Sequence, residues 1–278
     1  MNKIAISVES SADMPLKLCE KYDIKVIPYP ISLGDSSFFD GEKSPEEIFA
    51  LVDANGQLPK TTAINEYGYT EFFNTLKKDY DAVIHLCLSG GITSSCNNAS
   101  RAAAKLKRVF VVDSRSLSMG TGLAAIYARE LAEKGCHAED IVTALLDSVK
   151  KTVTAFVIER LDYLYKGGRC SSIALLGSNL LKIRPRIILK DGKMVSDKKY
   201  RGNMSAVIRK FAEELLAEFP PDSETAYIAY TTASSEMIAE AEQACYNGGF
   251  KSVVVTRAGA TISSHCGANT LGIFYLGQ

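Results

Sequence analysis

Through its first 150 residues the chain alternates short β-rich runs with helical patterns, and few folds accommodate that order. The β-rich runs fall at 3–8, 24–28, 82–88 and 109–112, and the helical patterns at 15–22, 67–78, 95–106, 120–134 and 138–149. Ser11 or Asp13 is placed to cap the first of these helices. Ser44-Pro45-Glu46-Glu47 starts another, with a cap, a proline at the first helical position, and acids on the positive end of the helix dipole. Strands that alternate with helices are joined by right-handed crossovers, which makes the sheet parallel.

The texture changes near residue 150. β-rich runs at 152–158, 186–190, 193–197, 225–230, 252–257 and 271–276 are now interleaved with helical patterns at 161–165, 204–218 and 236–247. Asp191-Gly192 between two of the runs predicts a hairpin closed by a tight reversed-type turn. The expectation is an α/β protein of two domains, a parallel-sheet α/β domain over 1–153 and an α+β domain over 154–278.

Composition removes several function classes. Thirty-two basic residues balance thirty-two acidic ones, so charge gives no reason to expect nucleic acid or anionic membrane as a partner. No stretch approaches the roughly 18 uninterrupted apolar residues of a transmembrane segment, and the amino-terminal apolar run is too short for a signal-peptide core. Seven scattered cysteines read as reduced thiols in a cytoplasmic protein. None has the spacing of a zinc knuckle, so no metal is expected. Neither a Gly-Lys-Ser/Thr loop nor a G-x-G-x-x-G turn is present, so no nucleotide cofactor is expected.

Small polar residues gather where strands of the first half end: Ser10-Ser11, Thr61-Thr62, Ser89-Gly90-Gly91-Ile92-Thr93-Ser94-Ser95 and Ser114-Arg115-Ser116. Ligands of open parallel sheets sit outside the carboxyl ends of the strands. The 89–95 run follows a strand and opens a helix, so its amides and hydroxyls suit a carboxylate or a phosphate; an ordinary turn with a helix cap uses the same residues. Asp113 reads as a brace for its turn.

Of three histidines, His85 lies in an apolar strand and reads as core, and His137 as exposed or capping. His265 falls in a polar loop, 259–267, between two strands, where functional residues concentrate. A hydrolase or transferase using a serine or Cys266 with His265 is the enzymatic alternative, although no G-x-S-x-G elbow is present. Lys166-Gly167-Gly168-Arg169 is a glycine helix stop with cations at the negative helix end, or a docking patch for an acidic partner.

Taken in order, these segments resemble the DegV family of bacterial fatty-acid-binding proteins. The resemblance rests on Glu9-Ser10-Ser11-Ala12-Asp13-Met14-Pro15, Pro59-Lys60-Thr61-Thr62, the 89–95 loop, Val111-Val112-Asp113-Ser114-Arg115-Ser116-Leu117-Ser118-Met119-Gly120, Leu161 to Arg169, and His265-Cys266-Gly267 followed by Leu271-Gly272. It covers essentially the whole chain. It implies a lipid-binding carrier, not an enzyme, that holds a long-chain fatty acid in a buried tunnel between the two domains. Thr61, Thr93 and His265 would bind the carboxylate, with Thr62 and Ser94 close by. Arg169 would belong to the docking region for a separate fatty-acid kinase that makes acyl phosphate for phospholipid synthesis. Apolar residues of 173–181 would wall the tunnel. Ser94 and Asn269 stand where the family usually has glycine, which raises the question of backbone conformation there.

Overall fold

The computed structural model describes residues 3–170 and 183–278. In the first half, β1 (Ile4–Glu9), β2 (Ile24–Ile27), β6 (Ala82–Cys87) and β7 (Val109–Asp113) form a four-stranded, wholly parallel sheet in the order β2-β1-β6-β7. Successive side chains of a strand face opposite layers, and β6 shows the consequence. Ala82, Ile84 and Leu86 share a core with α5 (Met119–Glu133) and α6 (Ala138–Ser148). Val83 and Cys87 share another with α3 (Glu66–Leu76) and α4 (Ser95–Ala103). His85 lies on the α3 side, fully buried, ringed by Tyr69, Phe72 and Phe73 and bonded through Nδ1 to Ser7 Oγ at 2.9 Å. It is a core histidine.

The second half is a six-stranded mixed sheet. Its strands are β8 (Thr152–Val157), β9 (Arg184–Lys190), β10 (Lys193–Tyr200), β11 (Thr225–Tyr230), β12 (Ser252–Arg257) and β13 (Leu271–Leu276), in the order β10-β9-β8-β13-β11-β12. β11 and β12 run parallel and the other neighbours antiparallel. α8 (Met204–Glu218) and α9 (Ser235–Asn247) pack together over one face, burying Phe211, Leu215 and Ala241. Asp191 and Gly192 have φ of 50° and 75°, the left-handed pair that a tight hairpin requires.

The two sheets meet across α5. Its buried residues include Gly120, Gly122, Ala124, Ala125 and Ala128, small enough for it to touch β1, β2 and β6 of one sheet and β8, β11 and β13 of the other.

Three features depart from the sequence reading. A small antiparallel sheet of β3 (Pro30–Leu33), β4 (Ser36–Phe39) and β5 (Lys60–Thr61) stands beside α2 (Pro45–Asn55); its strands are too short to carry a readable period. The polar loop 259–267 is mostly helix, α10 (Ala260–Cys266). Neither Ser11 nor Asp13 caps α1 (Leu16–Lys21), whose N-cap is Pro15 with no side-chain cap. Asp13 is turned instead toward the second half, at φ 52°.

Candidate ligand-binding site

Carboxylates far away in sequence hold α10 in place. The amides of Gly259 and Ala260 donate to Asp13 Oδ1 and Asp40 Oδ1, each at 2.7 Å, which puts two acids at the positive end of the helix. Ser118 and Ser10 donate their hydroxyls to the other oxygens of these carboxylates, at 2.5 and 2.8 Å. Burial pushes the Asp13 carboxyl up to about 8, against the hydrogen bonds from Ser118 and Gly259 and with the charge of Asp40 adding to the rise.

Along α10, Thr261 and His265 are four residues apart and share one face. His265 Nε2 is 2.7 Å from Thr61 Oγ1, on β5. Its Nδ1 is buried, without a hydrogen-bond partner among the described residues, and faces Gly167, the last residue of α7 (Leu161–Gly167). A Cβ at Gly167 would lie 2.8 Å from that nitrogen, so glycine is required there by space. Burial, and then the charge of Arg169, lower the His265 pKa to about 4. The imidazole is therefore neutral at neutral pH, and its tautomer decides whether it or Thr61 donates.

The 89–95 loop leans on the hairpin of the second half. Ser89 Oγ donates to the Gly192 carbonyl at 2.7 Å, and a Cβ on Gly91 would fall 2.5 Å from that same oxygen. Thr93 Oγ1 donates to Ser95 Oγ at 3.2 Å and accepts from the Ser95 amide at 3.2 Å. Asp113 braces the turn as expected, accepting from the amides of Gly90 at 3.1 Å and Arg115 at 2.8 Å. Ser94 has φ −81°, so it sits in its glycine slot without strain. Asn269 does take positive φ, 54°, which asparagine tolerates better than most residues. Its Nδ2 donates to Glu159 Oε2 at 2.6 Å.

Two cavities meet at Thr61, Arg169 and His265. The outer, about 780 Å³, is bordered also by Lys60, Tyr163, Lys166 and Ser264. The inner, about 370 Å³, is bordered also by Tyr29, Leu88, Thr93, Ser94, Met194 and Thr261. Both fall near the roughly 300–1,000 Å³ of small-molecule sites. Leu117, Ile262 and Cys266 continue from the inner cavity into a narrow apolar space with Phe156, Ala229 and Phe274, about 20 Å³ in volume.

Thr61, Thr93, Ser94, Arg169 and His265 are thus gathered around one cavity. Thr62 is not: it is exposed and borders neither space, its amide donating to the Pro30 carbonyl at 3.0 Å. Residues 173–181, expected to wall a tunnel, lie outside the described residues. Sequence reasoning missed Tyr29, which reads as an ordinary core aromatic, and Thr261, whose helical spacing from His265 was the available signal. It also assigned Arg169 to docking alone, whereas its charge reaches His265.

Several candidate chemistries find little support. Burial raises the Cys266 thiol to about 12, Ser264 Oγ donates to the Ala260 carbonyl at 2.6 Å, and the hydroxyl bonded to His265 belongs to a threonine. Among the described residues, Glu9, His85 and Cys87 bring potential metal-ligand atoms within 4.8 Å of one another. Glu9, however, already accepts from the Tyr69 hydroxyl and the Leu88 amide, each at 2.6 Å. Among the described residues, no helix is long and apolar enough to cross a membrane.

Comparison with known proteins agrees with this fold. The DegV family profile matches residues 3–278. A Thermotoga maritima protein named a fatty acid-binding protein is 30% identical over 279 residues, covering 97% of this chain and 96% of its own. Among solved structures, a DegV family protein from Thermus thermophilus, described for its fatty acid binding, superposes with a TM-score of 0.89 at 26% identity, covering 99% of this chain and 100% of its own. DegV of Bacillus subtilis, described as a fatty acid binding protein, gives 0.86 at 25% identity, with both chains covered in full.

Proposed function

The chain belongs to the DegV family, and on that footing we propose that it is a carrier of a long-chain fatty acid, held between a first domain of 1–153 and a second of 154–278. The observation that carries the reading is a polar rim, Thr61, Thr93, Arg169 and His265, opening onto an apolar floor of Leu117, Ile262 and Cys266. That is the order of groups met along a fatty acid from its head to its tail.

Energetics favour such an occupant. Each buried methylene contributes about 0.8 kcal/mol, so a sixteen-carbon chain gains on the order of 10 kcal/mol. A carboxylate drawn into the site must recover its hydration from donors. Thr61 supplies one, its oxygen accepting from His265 Nε2–H while its hydroxyl turns to the ligand. Thr93 supplies another on turning from Ser95, and Ser94 stands at the rim. With His265 neutral, Arg169 supplies positive charge at the site. The narrow space beyond Ile262 must widen for an acyl chain to pass, through side-chain movement at Leu117, Ile262 and Phe274.

In the same reading the outer cavity, with Lys60, Lys166 and Arg169 beside it, is the side from which a separate fatty-acid kinase reaches the carboxyl group and forms the acyl phosphate. Arg169 then serves both the head group and the docking surface.

The reading is tested by titrating delipidated protein with palmitate and with methyl palmitate. Saturable binding of the acid, at least tenfold weaker for the ester, is expected. Equal binding of the two would remove the polar rim from ligand recognition.

A further inference from the structure

The inner cavity offers more hydrogen bonding than a carboxylate at its mouth uses. Tyr29 is 2% exposed and Thr261 is 3% exposed. Both border the cavity, and among the described residues neither hydroxyl has a hydrogen-bond partner in good geometry. The Tyr29 hydroxyl lies beside those of Thr93 and Ser95, which are engaged with each other. Thr261 sits one helical turn before His265 on the same face of α10, about 6 Å along the axis. The two orphans come from opposite ends of the chain and converge on one space.

A buried hydroxyl without a partner carries an uncompensated desolvation cost. A plain methylene chain laid against Tyr29 and Thr261 leaves that cost in place. A hydroxyl on the chain removes it, because a hydroxyl both donates and accepts and so matches a phenol on one side and a threonine on the other. The one-turn offset of Thr261 from His265 places that group within the first few carbons of the acid.

Building on the fatty-acid reading above, we propose that the inner cavity is made for an acyl chain with a second polar group close to its carboxyl end, a hydroxy fatty acid, held there by Tyr29 and Thr261. Sites built to hydrogen-bond a substrate hydroxyl discriminate against the analogue that lacks it.

The test is calorimetric titration of the delipidated full chain with palmitate, 2-hydroxypalmitate and 3-hydroxypalmitate, in the wild type, Tyr29→Phe and Thr261→Val. At least one hydroxy acid should bind the wild type about tenfold more tightly than palmitate. Either substitution should abolish that preference, so that each variant binds the hydroxy acids no more tightly than palmitate. Equal affinity for palmitate and both hydroxy acids would overturn the proposal and leave the fatty-acid reading standing. So would a substitution that weakens all the acids alike, since Tyr29 or Thr261 would then serve the carboxylate or the fold. Failure of the wild type to bind any of the acids would overturn both readings together.

Discussion

Thr61 and His265 are 204 residues apart in sequence and 2.7 Å apart in space, hydroxyl to imidazole. Thr61 lies on the last strand of the small antiparallel sheet and His265 on α10, so neither large sheet supplies either residue. The site is assembled from connecting segments that the two sheets hold in register.

Replacing Thr61 with valine keeps the shape and removes the oxygen. His265 Nε2 then loses its partner, and a carboxylate loses a donor. Affinity for palmitate should fall about tenfold, the equivalent of about 1.4 kcal/mol, with little change in melting temperature. Titration calorimetry checks this, and an unchanged affinity would take Thr61 out of the site.

Gly167→Ala tests the packing behind the imidazole. The new methyl would stand 2.8 Å from His265 Nδ1, closer than two such atoms can approach, so the ring must shift and its 2.7 Å contact with Thr61 must change. Fatty-acid affinity should drop by about tenfold or more, at a stability cost of about 1–3 kcal/mol. Wild-type affinity in this variant would show that the position of His265 is immaterial.

Asp13 gives a pH dependence of known sign. Its carboxyl titrates near 8 in the folded protein, against an ordinary 3.8. Between those values the folded state retains a proton that the unfolded chain has released, so this group's contribution to stability falls as pH rises. An asparagine side chain in its place would keep an acceptor for the Gly259 amide and tolerates the positive φ. Asp13→Asn should therefore be more stable than wild type at roughly pH 9, with the gap closing toward roughly pH 5. Thermal melts of both proteins across that range decide it; a gap independent of pH would contradict the assignment.

Gly192→Ala probes the seam between the 89–95 loop and the hairpin. Gly192 has φ 75°, and a Cβ there would meet Ser89 Oγ at 2.6 Å. A left-handed non-glycine residue costs about 1–2 kcal/mol before any clash. Denaturant unfolding should show a loss of about 2–3 kcal/mol, and a loss under about 0.5 kcal/mol would mean that the seam yields freely.

The elements written most plainly in the sequence are those whose stability is local. The apolar run that became β6, the Asp191-Gly192 turn and the Ser44-Pro45 cap each carry their own signal. α10 carries none, because its first amides are satisfied by Asp13 and Asp40, 246 and 220 residues away. The separation of Thr61 from Thr62 follows from where β5 ends. Thr61 is its last residue and meets His265, while Thr62 lies beyond the strand, exposed, so two residues that look equivalent in the sequence are not. Convergence of Thr61, Thr93 and His265 on one cavity was legible only through the order of motifs. Tyr29 left no mark at all, since nothing in Pro28-Tyr29-Pro30 distinguishes a core aromatic from one whose hydroxyl faces a cavity.

The most direct measurement is made on protein purified from a bacterial host: denaturing extraction followed by mass spectrometry of whatever is released. A long-chain acid recovered close to one per chain, and much reduced in Thr93→Val or His265→Ala, is the expected result. Protein that is repeatedly empty, and that takes up no added fatty acid, would contradict the carrier reading.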